Sequence, residues 1–468
     1  MDKLKVATKH FGISQFRGEQ PAIIDAILNE QDVLAIQGTG FGKSLCFQVP
    51  ALMKAGLTLV VSPLVALMDD QVAHLSELGV WATAIHRGLS PDEVQHRFDL
   101  LHLRQYHLLY ISPEKLASKS FLRELAGIPI SQVVVDEAHC ISEWGHDFRP
   151  EYRLIGEYAK SLKRRVPICA FTATAPGWVK QDIIDSLGLQ NALVFEGSIL
   201  RSNLTIRAYP VRLESEKWER LLAEIAVLRR AKKEFSVIVY VVTRAESEQL
   251  AEALNRLHVN KSFAQAYHAG MPPEAKKQIQ SEFQSGKIQC IVATNAFGMG
   301  VDKNNVRLVV LYGAPASPES LLQQIGRAGR DGQAAQGVIV YSERDFTVHE
   351  QLHSGLSEIQ IQMHRLRLDW VRRQLSSSGC RWQLLGDYYD ENLDPCGKCD
   401  ICNPDTIGFS KPRVKRDALT IETRLHRMLS LLKEEYPQAE CSCVPGLGRG
   451  ILSYVKSEFN TSGVNLSV

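Results

Sequence analysis

Gln37-Gly38-Thr39-Gly40-Phe41-Gly42-Lys43-Ser44 follows an apolar run, Val33 to Ile36, and opens a stretch of helical character; far along the chain Val133-Val134-Val135 leads into Asp136-Glu137-Ala138-His139. Residues of these types do phosphate chemistry. A glycine-rich passage from strand to helix turns backbone N–H groups toward phosphate, a lysine adds a point charge, and a serine hydroxyl can hold Mg²⁺. On that logic Thr39, Gly40 and Gly42 cradle a nucleotide and Lys43 meets its β and γ phosphates. Ser44 and Asp136 hold Mg²⁺, and Glu137 activates the attacking water. Gln37 stands where the strict pattern has its first glycine; the strand before it and Leu45 to Pro50 after it supply the context the pattern needs.

Hydrolysis that drives movement also needs positive charge for the phosphoryl group in transfer. Gln323-Gln324-Ile325-Gly326-Arg327-Ala328-Gly329-Arg330-Asp331-Gly332 offers two arginines in a glycine-rich turn. Such arginines are worth about 10³ to 10⁵ in rate in other nucleotide hydrolases. A separate chemistry is written in Cys380, then fifteen residues, then Cys396-Gly397-Lys398-Cys399-Asp400-Ile401-Cys402. Four thiolates close a tetrahedral structural Zn²⁺ site with no open position. An iron–sulfur cluster is the rival, but that motif asks for a further cysteine at position 406, which is Thr.

The elements that must position these groups are legible as alternation. Short β-branched runs near 33–36, 58–62, 108–111, 132–136 and 168–172 are separated by helix-length amphipathic stretches. After Gly197 the pattern restarts with runs near 206–209, 236–242, 289–293, 307–312 and 337–341. This predicts two doubly wound parallel-sheet α/β lobes in tandem. The second lobe has no phosphate loop of its own, so a nucleotide serving both is expected in the cleft between them. From Ser342 the strand pattern stops. Residues 359–375 predict a helix rich in arginine that leads into the cysteines, Lys411 to Arg416 a basic linker, and 418–435 a last amphipathic helix. The Gly-rich stretch 444–450 and the polar tail 460–468 are expected to be mobile.

Lys and Arg number 54 against 52 Asp and Glu, a formal charge of +2, so a nucleic-acid partner needs a locally basic groove rather than a basic chain. Val237 to Val242 is among the longest apolar runs, far short of the roughly 20 residues that span a bilayer, and the first residues carry no signal-peptide stretch. No membrane partner and a cytoplasmic location, at the nucleoid in a bacterium, are therefore expected. In that reducing compartment the ten cysteines predict no disulfide framework.

The order of motifs resembles that of the RecQ family of superfamily two DNA helicases over about residues 8–404. Beyond the segments already quoted, the likeness includes Phe11-Gly12 with Phe16-Arg17-Gly18-Glu19-Gln20, Ser62-Pro63-Leu64 with Asp70-Gln71, and Ser112-Pro113-Glu114. It continues through Thr172-Ala173-Thr174-Ala175, Tyr267-His268-Ala269-Gly270, and Ala293-Thr294 with Ala296-Phe297-Gly298-Met299-Gly300-Val301-Asp302.

The resemblance implies two RecA-like lobes, 1–200 and 201–342, a helical hairpin with a zinc-binding subdomain at 343–408, and a short extension at 409–468 that is either a reduced winged helix or unrelated. It implies that Arg17 and Gln20 contact adenine, that Asp302 joins the nucleotide site, and that the cysteines bind zinc. Cys140 to Pro150 resembles the family's aromatic-rich loop. Trp144 and Phe148 would stack single-stranded bases beside Arg149, at about 1 to 3 kcal/mol per base. Ser62, Ser112, Thr243, Arg244 and Thr294, at strand ends, are expected to track the DNA backbone without reading sequence.

The implied activity is ATP-dependent translocation from 3′ to 5′ on single-stranded DNA with unwinding of duplexes in repair or recombination. Single-stranded and branched DNA are the implied partners, single-strand-binding or repair proteins are candidates beside them, and the expected state is a monomer. The alternatives are a DNA-stimulated translocase that does not separate strands, a DNA-structure-binding scaffold, and an RNA helicase. Glu143, Leu311 and Gln324 depart from the family's usual Gln, His and Glu.

Overall fold

The structure is a computed structural model that describes residues 2–38, 40–142, 148–231, 234–257, 262–298, 303–351 and 358–404. The expected features over 411–416, 418–435, 444–450 and 460–468 lie outside these residues, as do Thr39, Trp144 and Asp302. The chain divides into two compact units: Met1–Ile199 with Tyr388–Glu391, and Leu200–Asp387 with Asn392–Val468.

The first unit runs α1 (Lys3–Phe11), α2 (Gln20–Leu28), β1 (Val33–Ile36), α3 (Lys43–Met53), β2 (Leu57–Val61), α4 (Val65–Glu77), β3 (Ala82–Ile85) and α5 (Pro91–His102). It continues through β4 (Leu108–Ile111), α6 (Lys119–Leu125), β5 (Ile130–Val135), α7 (Arg153–Ser161), β6 (Ile168–Thr172), α8 (Gly177–Leu187) and β7 (Leu193–Glu196). The strands form one parallel sheet in the order β3-β4-β2-β5-β6-β1-β7.

Strict alternation along each central strand sends neighbours to opposite faces. Leu34, Ile36, Leu59, Val61, Val133 and Val135 join one buried cluster, and Val33, Ala35, Val60, Val134, Cys169 and Phe171 the other. Apolar on both sides, these strands can lie only between two layers of helices.

The second unit runs β8 (Leu204–Pro210), α9 (Glu214–Ala231), β9 (Ser236–Tyr240), α10 (Arg244–Leu257), β10 (Ala264–Tyr267), α11 (Pro273–Ser285) and β11 (Cys290–Ala293). Then follow β12 (Val306–Leu311), α12 (Pro318–Ile325), β13 (Ala335–Tyr341), α13 (Glu343–Gln351), α14 (Glu358–Ser376) and α15 (Arg381–Tyr388). Its sheet, also parallel, has the order β10-β11-β9-β12-β13-β8. The core gathers Trp218, Val237, Val239, Leu254, Leu308, Val310 and Val338.

The chain is thus two tandem RecA-like α/β lobes with a helical, cysteine-bearing segment. Three of the strands were not expected from the sequence: β3, β7 and β10, each at a sheet edge. Ala-Thr-Ala-Ile and Ala-Gln-Ala-Tyr are each half alanine, a residue depleted in strands. Leu193 and Val194 of β7 remain exposed.

Candidate functional site

In the first unit the phosphate loop begins where β1 ends. Gly40 and Gly42 take left-handed backbone, φ 86° and 88°, which lets the loop fold back before α3 begins at Lys43. Lys43 Nζ donates to the Gln37 carbonyl at 2.8 Å, at the start of the loop. Ser44, half-buried, is the second residue of α3.

Gln20 is buried and fully employed: Nε2 donates to the Phe41 carbonyl at 2.7 Å, and Oε1 accepts from the Arg17 N–H at 2.9 Å. The Arg17 residue is exposed. Gln37 is also buried, and its amide donates to Glu19 Oε2 at 2.8 Å and to the Phe195 carbonyl at 3.3 Å. The residue that broke the glycine pattern therefore ties the start of the loop to α2 and β7.

Asp136 and Glu137 follow β5 directly rather than ending it, and Glu137 has left-handed φ, 48°. Burial, then the neighbouring Glu137 carboxylate, pushes Asp136 up to about 7 despite the opposing charge of Lys43. An enclosed acidic pair beside one lysine is a donor set that a divalent cation would relieve.

The motif is wired further. His139 Nδ1 lies 2.9 Å from Thr172 Oγ1 and 3.3 Å from Glu137 Oε2, and the Thr172 hydroxyl donates to the Thr174 carbonyl. Since Thr172 spends its proton on Thr174, the imidazole carries its hydrogen on Nδ1. The His139 ring is thus hydrogen-bonded to the loop after β6 and lies beside the Glu137 carboxylate. The sequence displayed both motifs but not their contact.

Ser62, expected to track DNA, is buried, and its hydroxyl donates to Asp136 Oδ2 at 3.2 Å. Ser112, half-buried at the end of β4, makes no capping bond to the turn that follows. Arg149 pairs with Glu114 at 3.7 Å, and the Phe148 ring has the Arg153 guanidinium over one face at 5.6 Å.

In the second unit Arg327 is buried, while Arg330 is half-exposed. Their turn is held by residues the sequence reading missed. Arg201 donates to the Gly326 and Gly329 carbonyls, each at 2.6 Å, and Asn203 to the Gly329 and Gln333 carbonyls at 2.8 Å. Gly329 has φ 61°, and a Cβ there would lie 2.6 Å from Asn203 Nδ2. Polar residues in the connection before β8 carry no local signal for such a role. Thr243 and Arg244, both exposed, stand at the start of α10, where the Thr243 hydroxyl accepts from the Glu246 N–H at 3.2 Å. Thr294 follows β11, half-buried.

The sulfur atoms of Cys380, Cys396, Cys399 and Cys402 all lie within 4.8 Å of one another. Tetrahedral zinc with bonds of about 2.3 Å needs sulfurs about 3.8 Å apart, so a small contraction completes the cage. Backbone N–H groups of Cys396, Cys399 and Cys402 donate to the Cys380, Cys396 and Cys399 sulfurs, as thiolates require. Burial opposes ionisation of Cys380, but the N–H groups of Cys396 and Gln383 outweigh it and bring the thiol down to about 7. The donor set fits zinc.

Arg381 braces the whole segment. It forms a two-bond pair with Asp400, 3.0 Å each, and donates to the Gln374 and Leu375 carbonyls at the end of α14. Among the described residues no helix is long and apolar enough to cross a membrane.

Comparison with known proteins follows the same division. The DEAD/DEAH box helicase model matches residues 17–183 and the helicase conserved C-terminal domain model residues 216–332. The ATP-dependent DNA helicase RecQ of Pasteurella multocida is 41% identical over 394 residues, 84% of this chain and 61% of that protein. The RecQ of Bacillus subtilis is 37% identical over 400 residues, 84% and 65%. The probable ATP-dependent DNA helicase RecS of the same organism is 40% identical over 343 residues, 73% and 67%.

The chain spans somewhat under two thirds of the length of the RecQ proteins it matches. Among solved structures, helicase MrfA bound to DNA and AMPPNP aligns with a TM-score of 0.63 at 18% identity, covering 98% of this chain and 60% of that one. Mycobacterium smegmatis Lhr bound to single-stranded DNA and AMP-PNP gives 0.59 at 20% identity, covering 83% and 56%. These likenesses carry the fold; the identity to RecS over two thirds of that protein and to RecQ over most of this chain carries the family. The chain belongs to the RecQ family of helicases.

Proposed function

We propose that the chain is an ATP-dependent DNA helicase of RecQ type, with a first lobe at 1–200, a second at 201–342, a helical zinc-binding subdomain at 343–408 and an extension at 409–468. The observation that carries the reading is the arrangement of the first unit: Lys43 in a glycine loop, the Asp136–Glu137 pair, and His139 hydrogen-bonded to Thr172 with Glu137 Oε2 at 3.3 Å from the same ring nitrogen. The names of the RecQ and RecS relatives, ATP-dependent DNA helicases, support it.

Arriving ATP takes over Lys43 from the Gln37 carbonyl, so the loop opens onto the phosphates it then holds. Arg17 and Gln20 meet the adenine, which requires Gln20 to leave the Phe41 carbonyl, and Asp302 completes the nucleotide site. Ser44 and Asp136 would hold Mg²⁺, which supplies charge neutralisation at the phosphates. Glu137 orients and deprotonates the attacking water, and Arg327 and Arg330 supply positive charge to the phosphoryl group in transfer. Ser112, Trp144, Phe148, Arg149, Thr243, Arg244 and Thr294 contact single-stranded DNA, and steps run from 3′ to 5′ toward a duplex or branch, in repair or recombination. Cys380, Cys396, Cys399 and Cys402 would hold zinc, which would supply rigidity and no chemistry to the reaction, beside the Arg381–Asp400 pair that ties this segment to the end of α14.

Hydrolysis is expected to be slow alone and raised at least tenfold by single-stranded DNA, with Lys43→Ala abolishing the rise. Strand displacement on duplexes carrying a 3′ or a 5′ single-stranded tail, read together with phosphate release, tests the proposal. Displacement of the 3′-tailed substrate only is the expected result. Equal turnover with and without DNA refutes coupling, and stimulated hydrolysis with neither duplex displaced replaces unwinding by translocation.

A further inference from the structure

Gln37 opens the phosphate loop from a buried position, and both of its backbone groups are engaged: the N–H donates to the Thr172 carbonyl at 3.0 Å, and the carbonyl accepts from Lys43 Nζ at 2.8 Å. Its side-chain nitrogen spends both hydrogens on segments remote in sequence, Glu19 Oε2 at 2.8 Å and the Phe195 carbonyl at 3.3 Å. Only the nitrogen can face that carboxylate, because an amide oxygen turned toward it would meet no donor. The amide oxygen lies instead over Gly197, where an added Cβ would collide with it. Gly197 does not take the left-handed backbone that would otherwise explain a glycine, so the residue is there for room.

Glu19 has no local reason to reach the loop. It stands just before α2, where an acidic side chain ordinarily serves its own helix, yet it makes no capping bond there. Its carboxylate goes to Gln37, eighteen positions along the chain. Both of its neighbours touch the loop as well. A Cβ on Gly18 would lie 3.4 Å from Phe41 Cε2, and Gln20 Nε2 donates to the Phe41 carbonyl at 2.7 Å and to the Gly42 carbonyl at 3.4 Å. Three consecutive residues thus lean on one loop.

These contacts differ in what a nucleotide would do to them. Adenine draws Gln20 away from the Phe41 carbonyl, and the phosphates draw Lys43 away from the Gln37 carbonyl. Neither exchange calls on the Gln37 side chain. The Gln37–Glu19 bond therefore stays in place when the nucleotide is seated, backed by β7 through the Phe195 carbonyl.

We propose that Gln37 is a positioning residue for nucleotide selection: through Glu19 it fixes the spacing between residues 17–20, which meet the base, and the loop 37–44, which meets the phosphates. The inference rests on the reading of Arg17 and Gln20 as adenine contacts. An amide pairs the N6 donor and N7 acceptor of adenine, whereas guanine places an acceptor, O6, where adenine has its donor. A wrong base is penalised only while it cannot slide off the amide with its phosphates still seated. A fixed spacing forbids that slide. Released from Gln37, the segment adjusts to either base and the preference for adenine falls.

The test is steady-state hydrolysis of ATP and of GTP by the full chain with single-stranded DNA present. The unaltered chain favours ATP in kcat/KM. Gln37→Leu, close in size but without polar groups, is expected to raise KM for ATP about 5- to 10-fold with kcat held within about twofold and the kinetics with GTP nearly unmoved, so the preference falls by about the same factor. Glu19→Ala, at an exposed residue, gives the same loss, and combining the two loses no more than either alone. Glu19→Gln, which keeps an oxygen for the Gln37 amide, retains most of the preference. Glu196→Ala, which breaks the Lys180 pair on β7, leaves it untouched. A preference unchanged in both Gln37→Leu and Glu19→Ala, whether or not Tm falls, overturns the inference alone. Equal kcat/KM for ATP and GTP in the unaltered chain overturns the adenine reading of Arg17 and Gln20 and the inference with it.

Discussion

Glu246 sits in the first turn of α10, where its carboxylate accepts the Val242 N–H at 3.2 Å yet is largely enclosed. Burial raises its pKa above 4.5, with Lys217 opposing. A carboxyl whose folded pKa is raised favours the fold while protonated and costs stability as pH climbs through that value. Glu246→Gln, which keeps the acceptor oxygen, is therefore expected to raise Tm at pH 8 by about 2–4 °C, an effect of about 1 kcal/mol, with the gain vanishing as pH falls toward 4.5. Thermal denaturation at the two pH values checks it. A gain that persists at low pH assigns the effect to packing instead. Candidacy was legible for Lys43, Asp136 and the four cysteines because side-chain type and spacing mark them without reference to the fold. The partner of Ser62 was not legible, since its hydroxyl is claimed by Asp136 across 74 positions of sequence.

At the scale of elements, the arginine turn after α12 is a loop whose shape is set from outside. Arg201 and Asn203 together satisfy three of its carbonyls, those of Gly326, Gly329 and Gln333. Arg201→Ala leaves these acceptors to water and lets the turn relax. DNA-stimulated turnover is expected to fall about tenfold, a loss near 1.4 kcal/mol of transition-state stabilisation, with nucleotide affinity retained. Equal loss in affinity and turnover would place the effect on nucleotide binding. The central strands were readable from β-branched runs buried on both faces. The edge strands β3, β7 and β10 were not, because one neighbour and partial exposure relax the composition a strand requires.

At the scale of the whole molecule, each unit has its own core, Leu34 to Leu189 and Val6 to Phe171 in the first and Trp218 to Val340 in the second. Separate cores predict separate unfolding. Calorimetry is expected to show two transitions, one raised by a non-hydrolysable Mg²⁺–nucleotide bound to the first unit, the other lowered by chelation of zinc from the second. A single transition moved as a whole by either ligand contradicts this. By itself the sequence determined the fold class, the glycine-rich loop, the acidic pair and the cysteine cluster, since hydrophobic period and the spacing of chemically obligate residues are local properties of a chain. Only the tertiary structure decided that Gln37 anchors the loop, that the His139 ring lies against both Thr172 and Glu137, and that Arg381 ties α14 to the segment of the cysteines. Those are hydrogen bonds and strand placements between distant segments, and they exist only once a sheet has brought the ends of its strands side by side.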